Sequence, residues 1–206
     1  MLELWLVRHG ETLWNEEGRV QGQSDPPLSA LGRVQAEKLA SRLAYTPFSA
    51  VYSSDLERTV ETARLALPDA CVNTDVRLRE LHFGAWEGRL WQEVSVDDPD
   101  ALTVWYLDPY KNVPTGGESY AALSERVRAW LTRLPRTGRV VAFTHGGPIR
   151  AILYSLTGPP DAHRWRFEVG PASLTKIVLG NQGAIIKTVA DTAHLEPLDT
   201  AHLEGR

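Results

Sequence analysis

The chain has 206 residues, of which 43% are hydrophobic and 23% are charged. This length and composition fit one globular core, argue against a tandem array of domains, and exclude bulk disorder. The 22 Lys and Arg residues against 26 Asp and Glu give a net charge of −4 with no basic run, which disfavours a nucleic-acid binder. The single cysteine, Cys71, excludes a domain held by internal disulfides and makes the cytoplasm the default location. The first apolar run is too short for a signal peptide, and no later run predicts a membrane span.

Two apolar runs each end on a histidine. Residues 2–7 alternate in a strand pattern and stop at Arg8 and His9, and residues 139–144 form a second apolar run that stops at His145. In open parallel sheets, ligands bind outside the carboxyl ends of the strands. We therefore expect the two histidines to face one crevice.

Helical and strand patterns alternate between and after these runs. The predicted helices cover residues 29–43, 55–67 and 118–134, with another from Pro148, and short strands cover 49–52 and 72–76. This order predicts an α/β fold, a three-layer sandwich with a mostly parallel central sheet and helices on both faces. Two late strands, 173–179 and 184–189, flank the turn-rich residues 180–183 and predict an antiparallel hairpin at the sheet edge.

Two segments fall outside this alternation. Residues 87–117 carry Trp91, Trp105 and several Asp and Pro residues without a regular period, and we interpret them as a lid inserted into a single domain that spans 1–206. The sequence DTAHLE occurs at 191–196 and again at 199–204, which indicates a local duplication in a terminal tail. We assign this tail no function.

Five dispersed motifs occur along the chain in a fixed order. They are LVRHGET at 6–12 with Asn15 and Gln21-Gly22, YSSDLERT at 52–59, LREL at 78–81 with FG at 83–84 and WEG at 86–88, PTGGES at 114–119, and THGG at 144–147. With these motifs the chain resembles the histidine phosphatase superfamily, the phosphoglycerate-mutase-like proteins, over roughly residues 1–160. Several motifs in the correct order are far more specific than one short match.

The resemblance implies five catalytic residues. His9 is the nucleophile that forms a phosphohistidine, while Arg8 and Arg58 clamp the phosphate oxygens. His145 donates to the transferring phosphoryl group. Glu80 gives a proton to the leaving alkoxide and later takes one from the attacking water. Phosphoryl transfer needs mainly positioning and charge compensation, so this set calls for no metal and no cofactor.

Five further residues are candidates for substrate binding. By the resemblance, Asn15 contributes a neutral donor, and Gln21 and Gly22 match a loop that contacts substrate, although Gln21 could equally be a solvated loop residue. Gly146 allows backbone amides to approach an anion closely. His82 follows the predicted acid by two positions and is a candidate reader of the non-phosphate part of the substrate, against the alternative of a packed histidine.

Within the superfamily, the sequence favours a phosphatase. Mutases carry a longer, basic insertion after the acid, whereas here only Arg89 and Lys111 are basic between Gly88 and Glu118, against five acidic residues. We predict hydrolysis of small phosphate monoesters, with a small phosphorylated metabolite as the partner. The alternatives are a phosphoglycerate-type mutase or sugar bisphosphatase and, from another class, a non-catalytic module that binds phosphate ligands. The individual substrate stays open, as does a homodimer formed through the edge hairpin or the tail.

Overall fold

A six-stranded sheet forms the centre of the part of the chain that the structure describes. The computed structural model describes residues 1–158 and 166–196. The strands are β1 Leu2–Arg8, β2 Ala50–Ser53, β3 Val72–Thr74, β4 Gly138–Thr144, β5 Leu174–Gly180 and β6 Gly183–Asp191. They lie in the order β3-β2-β4-β1-β5-β6; the first four are parallel, and β5 runs antiparallel to both β1 and β6. The predicted mostly parallel sheet with an antiparallel edge hairpin is confirmed.

Helices cover both faces of this sheet. They are α1 Leu13–Glu17, α2 Ala30–Leu43, α3 Glu57–Ala66, α4 Trp91–Asp97, α5 Pro99–Leu107, α6 Tyr120–Leu131 and α7 Gly146–Thr157. Along β1, Leu4 and Leu6 pack in the core layer that includes α6 and α7, whereas Trp5 and Val7 pack in the layer that includes α2 and α3. The alternation of side chains along a strand therefore divides the core in two, and the predicted three-layer sandwich is confirmed. Among the described residues, no helix is long and apolar enough to cross a bilayer.

The predicted helices begin and end close to their expected positions. Ser29 caps α2, its hydroxyl oxygen accepting from a backbone amide at 3.0 Å, and Ser119 caps α6 in the same way. The helix expected from residue 55 begins at Glu57 instead. The Asp55 carboxylate accepts from Nε of Arg79 at 2.7 Å and does not cap the helix.

The segment without a regular period contains the two short helices α4 and α5. Trp91 and Trp105 stack with ring centroids 6.3 Å apart, and Phe83 and Trp86 pack edge-on against Trp105 at 5.6 and 5.9 Å. Because α5 is apolar around most of its circumference, its sequence shows no amphipathic period. The interpretation of residues 87–117 as a lid stays a prediction, as does the single domain over 1–206.

The first copy of the repeated hexapeptide joins the body of the protein. Asp191 ends β6 and pairs with Arg42 at 2.5 Å, and Leu195, in a 3₁₀ turn, is buried in the same cluster as Trp5. The second copy, at 199–204, lies outside the described residues. The homodimer through the edge hairpin or the tail stays a prediction, as does the cytoplasmic location.

Candidate active site

Two histidines meet at the carboxyl ends of the two central strands. In the parallel pairing of β1 with β4, Arg8 lies opposite Thr144, and the His9 amide extends the ladder by donating to the Thr144 carbonyl at 3.0 Å. The His9 ring lies edge-on to the His145 ring, with centroids 5.2 Å apart. Both residues are buried, at 2% and 0% exposure. The strand order thus brings together the two histidines that were expected to share a crevice.

The surroundings of His9 fix both its tautomer and its charge. Its Nδ1 lies 2.7 Å from the Gly10 carbonyl oxygen, and because a carbonyl only accepts, Nδ1 carries the proton. Burial lowers the pKa of His9 well below its ordinary value, and the positive charges of Arg58 and Arg8 lower it further, against the opposing bond to Gly10. Near neutral pH, His9 is therefore an uncharged imidazole whose Nε2 holds a lone pair. That is the form a nucleophile requires.

His145 is the N-cap residue of α7. Both of its ring nitrogens are buried, and neither has a hydrogen-bond partner within the described ranges. Burial lowers the pKa of His145 well below its ordinary value, and the charge of Arg58 and the ring of His9 lower it further. Buried polar groups cost free energy until something pairs with them. The His145 ring at this helix N-terminus is therefore suited to a hydrogen bond with a bound oxyanion.

These lowered pKa values make the stability of the protein depend on pH. At pH values between the folded-state pKa and the ordinary pKa of about 6.5, the unfolded chain binds protons at His9 and His145 that the folded protein does not bind. The free energy of unfolding therefore rises with pH through this window and falls as the pH drops below about 6.5. In urea denaturation from about pH 7.5 to 5.5, we expect His145→Asn to reduce this slope by up to about 1.4 kcal/mol per pH unit. An unchanged slope would contradict a buried neutral His145.

Two guanidinium groups lie close to the histidine pair. Arg58, on α3, is 1% exposed and donates through Nη1 to the Ser24 carbonyl at 2.6 Å and through Nη2 to the Gly22 carbonyl at 2.7 Å. Arg8, at the end of β1, donates to the Val169 carbonyl at 2.6 Å. These backbone contacts hold two positive charges in place. Such charges suit the binding of an anion, since a guanidinium can bond two oxygens of one phosphate.

Glu80 lies at the N-terminus of α7, next to the histidine pair. Its Oε1 accepts from the Leu81 amide at 2.8 Å and from the Gly147 amide at 3.0 Å, and its Oε2 lies 3.2 Å from the same Gly147 nitrogen. A Cβ atom on Gly147 would lie 2.1 Å from Oε1 of Glu80. The second glycine after His145 thus leaves the space that the carboxyl group occupies.

Two cavities adjoin these residues. An open cleft of about 800 Å³ has residues of both charges in its wall: Arg8 and Arg150, with Glu11, Glu16, Glu168 and the neutral Asn15. A smaller cavity of about 140 Å³ has Glu80 and Arg150 at its edge, and the rest of its wall is mostly aromatic, including Phe83, Trp91, Trp105, Tyr106 and Tyr120. A charged cleft therefore lies beside an aromatic cavity, with Arg150 bordering both. No group of His, Cys, Asp and Glu side chains that could hold a metal ion occurs in residues 1–158 and 166–196.

Asn15 and Gly146, two of the predicted substrate-binding residues, lie beside the charged groups. Oδ1 of Asn15 accepts from the amide and the hydroxyl of Thr12, both at 3.1 Å, in a capping box that fixes the side chain at the start of α1. Asn15 lines the same cleft as Arg8. Gly146 is buried as the first residue of α7, where helix amides face an anion most favourably.

The other three predicted binding residues have different surroundings. Gly22 has a φ of +57° and gives its carbonyl to Arg58, so its evident contact is with the guanidinium. Oε1 of Gln21 is buried without a hydrogen-bond partner among the residues described. The His82 side chain is 39% exposed, lies 3.8 Å from a Glu87 oxygen, and lines neither of the two cavities. Substrate contact by these three residues stays a prediction.

Glu87 was not predicted as a site residue, yet it organises the loop that holds Arg58. Its Oε1 accepts from the amides of Gln23 at 3.0 Å and Phe83 at 2.9 Å, and its Oε2 accepts from the amide and the hydroxyl of Ser24 at 2.8 and 2.7 Å. Burial acts to raise the pKa of Glu87, but these hydrogen bonds outweigh it and hold the pKa below the ordinary value. The position of Glu87 in the motif at 86–88 is the signal that could have found it.

Known proteins resemble this chain over nearly its whole length. Residues 4–192 match the histidine phosphatase superfamily (branch 1). The chain is 36% identical to a probable phosphoglycerate mutase GpmB of Yersinia enterocolitica, over 95% of this chain and 96% of that protein. It is also 36% identical to phosphoserine phosphatase 1 of Hydrogenobacter thermophilus, over 95% of each. Its fold is similar to that of Bacillus stearothermophilus YhfR, with a TM-score of 0.89 and 30% identity over 95% of this chain and 100% of that one.

Proposed function

The chain belongs to branch 1 of the histidine phosphatase superfamily, and we propose that it hydrolyses small phosphate monoesters, without a metal ion, through a phosphohistidine on His9. Its phosphatase relatives make it a phosphoric monoester hydrolase. One observation carries the proposed mechanism: the bond from Nδ1 of His9 to the Gly10 carbonyl leaves Nε2 unprotonated, beside His145 and the charge of Arg58.

In the first step, His9 is the nucleophile. Its Nε2 attacks phosphorus, an N–P bond forms, and the bond from phosphorus to the leaving oxygen breaks. The Glu80 carboxyl group gives its proton to the leaving oxygen, so an alcohol departs in place of an alkoxide. The positive charge that develops on the ring is stabilised by the Nδ1–H bond to the Gly10 carbonyl.

In the second step, water replaces the histidine. A water oxygen attacks the phosphorus of the phosphohistidine while the Glu80 carboxylate takes a proton from that water. The N–P bond breaks, inorganic phosphate leaves, and His9 returns to its neutral form. Glu80 then holds the proton needed for the next cycle.

Fixed donors around the histidines stabilise the phosphoryl group in transit. Its equatorial oxygens carry most of the negative charge, and groups that are already in place cost no reorganisation when that charge moves. Arg8 and Arg58 supply positive charge, His145 a ring donor, and Asn15 a neutral amide. The N-terminus of α7 adds the field of its aligned amides.

The position of Glu80 indicates where the leaving group of the substrate binds. The leaving oxygen must come within hydrogen-bond distance of Glu80, and Glu80 borders the aromatic cavity of about 140 Å³. We therefore propose that the non-phosphate part of the substrate enters this cavity. A space of this size and character favours small phosphorylated metabolites with an apolar or aromatic part next to the ester oxygen.

A phosphoglycerate-type mutase is the second candidate, because one similar relative carries that name. Such an enzyme must hold a carboxylate close to the phosphoryl group. The two basic residues between Gly88 and Glu118 are paired with acids, Arg89 with Asp97 at 2.5 Å and Lys111 with Asp108 at 3.1 Å, so neither is placed to hold a substrate carboxylate. Arg150, which borders both cavities, is the cation best placed to take a carboxylate.

Phosphate release measured in the presence of EDTA tests the proposal. We expect release from p-nitrophenyl phosphate and from members of a panel of alkyl, aryl and amino-acid phosphates, at rates that the chelator leaves unchanged. After reaction with a substrate that is labelled in its phosphoryl group and a rapid quench, the enzyme should carry labelled phosphate. This phosphate should be labile in acid and stable in alkali, as expected for a phosphohistidine. Interconversion of 2- and 3-phosphoglycerate without release would support the mutase. Binding of vanadate with neither activity would support a module that only binds phosphate ligands.

A further inference from the structure

An arginine outside both cavities clamps the backbone around Glu80. We call residues 77–82 the acid segment. Arg126, on α6, donates from Nη1 to the carbonyl oxygens of Arg77 and Arg79 at 2.8 and 2.7 Å, and from Nη2 to the carbonyl oxygen of Glu80 at 2.8 Å. Three carbonyls of this largely irregular segment therefore accept from one planar donor group.

Glu118 completes the clamp from the other side. Its Oε1 and Oε2 accept from Nε and Nη2 of Arg126 at 2.7 and 2.8 Å. Oε2 of Glu118 also accepts from the His82 amide at 3.1 Å, and the Glu118 amide donates to the His82 carbonyl at 2.8 Å. All five N–H donors of Arg126 thus have acceptors. The two side chains are only 19% and 16% exposed, which reduces the screening of this pair by solvent.

We propose that Arg126 is a positioning residue for Glu80: by fixing the backbone of the acid segment, it sets the distance between the Glu80 carboxyl group and the leaving oxygen. The inference rests on the proposed function, in which Glu80 is the proton donor. The amides of Leu81 and Gly147 hold the carboxyl group itself, and the carboxyl group reaches them only while its own backbone stays in place. A lysine at this position would provide one ammonium nitrogen in place of the planar guanidinium. An ammonium group cannot donate to three carbonyls and a carboxylate together.

A comparison of two leaving groups distinguishes a positioning role of Arg126 from a purely structural role. A p-nitrophenolate leaves readily as an anion, whereas the more basic phenolate gains more from a proton donor. Phenyl phosphate and p-nitrophenyl phosphate have the same charge and similar shapes, so both probe one binding site. Release of the phenol in a single turnover, with enzyme in excess, reports the first step alone.

We expect Arg126→Lys to lower the single-turnover rate by about 10- to 100-fold for phenyl phosphate and by less than about 3-fold for p-nitrophenyl phosphate. Glu80→Gln should show the same selectivity with a larger loss, about 10²- to 10⁴-fold for phenyl phosphate. Adding Arg126→Lys to Glu80→Gln should then lower the rate little further, because both act through one carboxyl group. Arg128→Lys, an exposed arginine on the same helix, is the matched control and should change neither rate.

Equal losses for the two esters, or no loss, would overturn the positioning role. Where Arg126→Lys fails to fold, Glu118→Gln tests the same clamp, since it removes the partner's charge and keeps its shape; it must slow phenyl phosphate more than p-nitrophenyl phosphate. If Glu80→Gln is itself insensitive to the leaving group, Glu80 is not the proton donor, and the proton-transfer step of the proposed function fails together with the inference. If Glu80→Gln is selective and Arg126→Lys is not, only the inference fails.

Discussion

Replacing His9 by asparagine is expected to abolish the phosphohistidine and to lower kcat for phosphate release by about 10⁴-fold or more. Asparagine can still donate from its side-chain amide to the Gly10 carbonyl, which Nδ1 of His9 contacts at 2.7 Å. It has no counterpart of the Nε2 lone pair. The variant therefore keeps the local contact and removes the nucleophile, and rapid-quench labelling together with phosphate release measures both consequences.

His145→Asn is the matched comparison for this experiment. The His145 ring lies 5.2 Å from the His9 ring. In the proposed mechanism it donates a hydrogen bond to the phosphoryl oxygens and does not attack phosphorus. We expect its loss to slow turnover by about 10²- to 10³-fold, as removal of one oxyanion donor does elsewhere, while labelled phosphoenzyme still forms. Labelled phosphate that persists in His9→Asn and disappears in His145→Asn would reverse the assignment of the two histidines.

The features predicted correctly from the sequence are those set by local pattern. The alternation in β1 separates Leu4 and Leu6 from Trp5 and Val7, and the structure places the two sets in different core layers. The meeting of His9 with His145 follows from one further rule, that adjacent parallel strands deliver their carboxyl ends to the same edge. The first inference needs only the residues of one strand, and the second needs only the rule that parallel strands end at the same edge of a sheet.

The contacts that were missed join residues far apart in sequence. Arg8 donates to the carbonyl of Val169, which is 161 positions away. Arg58 donates to the carbonyl of Ser24, and the amide of Ser24 donates to Glu87, which is 63 positions further along the chain. Backbone carbonyls and amides are the partners in these contacts, and every residue type supplies them, so no side-chain pattern indicates which ones will be used. α5 was missed for another reason, since a helix that is apolar on most sides has no period to detect.

Substitution of Arg58 is expected to reduce both stability and activity. Arg58→Lys keeps the charge but replaces the two Nη donors of the guanidinium by one ammonium nitrogen on a different stem. We therefore expect at least one of the Gly22 and Ser24 carbonyls to lose its donor at a site that is 1% exposed. A buried polar group without a partner costs about 1–3 kcal/mol, and we expect a decrease of that size in the free energy of unfolding from urea denaturation. With the phosphate clamp weakened, kcat/KM should fall by about 10²- to 10³-fold.

Arg58→Met separates the effect of charge from that of shape. Burial is the largest cause of the lowered pKa of His9 and the charge of Arg58 the next, so removing this charge raises that pKa and leaves more of the histidine protonated in mild acid. The pH profile of kcat/KM reports ionisations of the free enzyme. The pH below which kcat/KM decreases, the acid limb of this profile, should therefore move to higher pH in Arg58→Met and stay in place in Arg58→Lys. Arg64→Met is the control, because Arg64 lies on the same helix, is 66% exposed and pairs with Glu57 on the surface. An acid limb that does not move in Arg58→Met would mean that burial alone keeps His9 neutral, and the guanidinium would then act on the phosphate and not on the nucleophile.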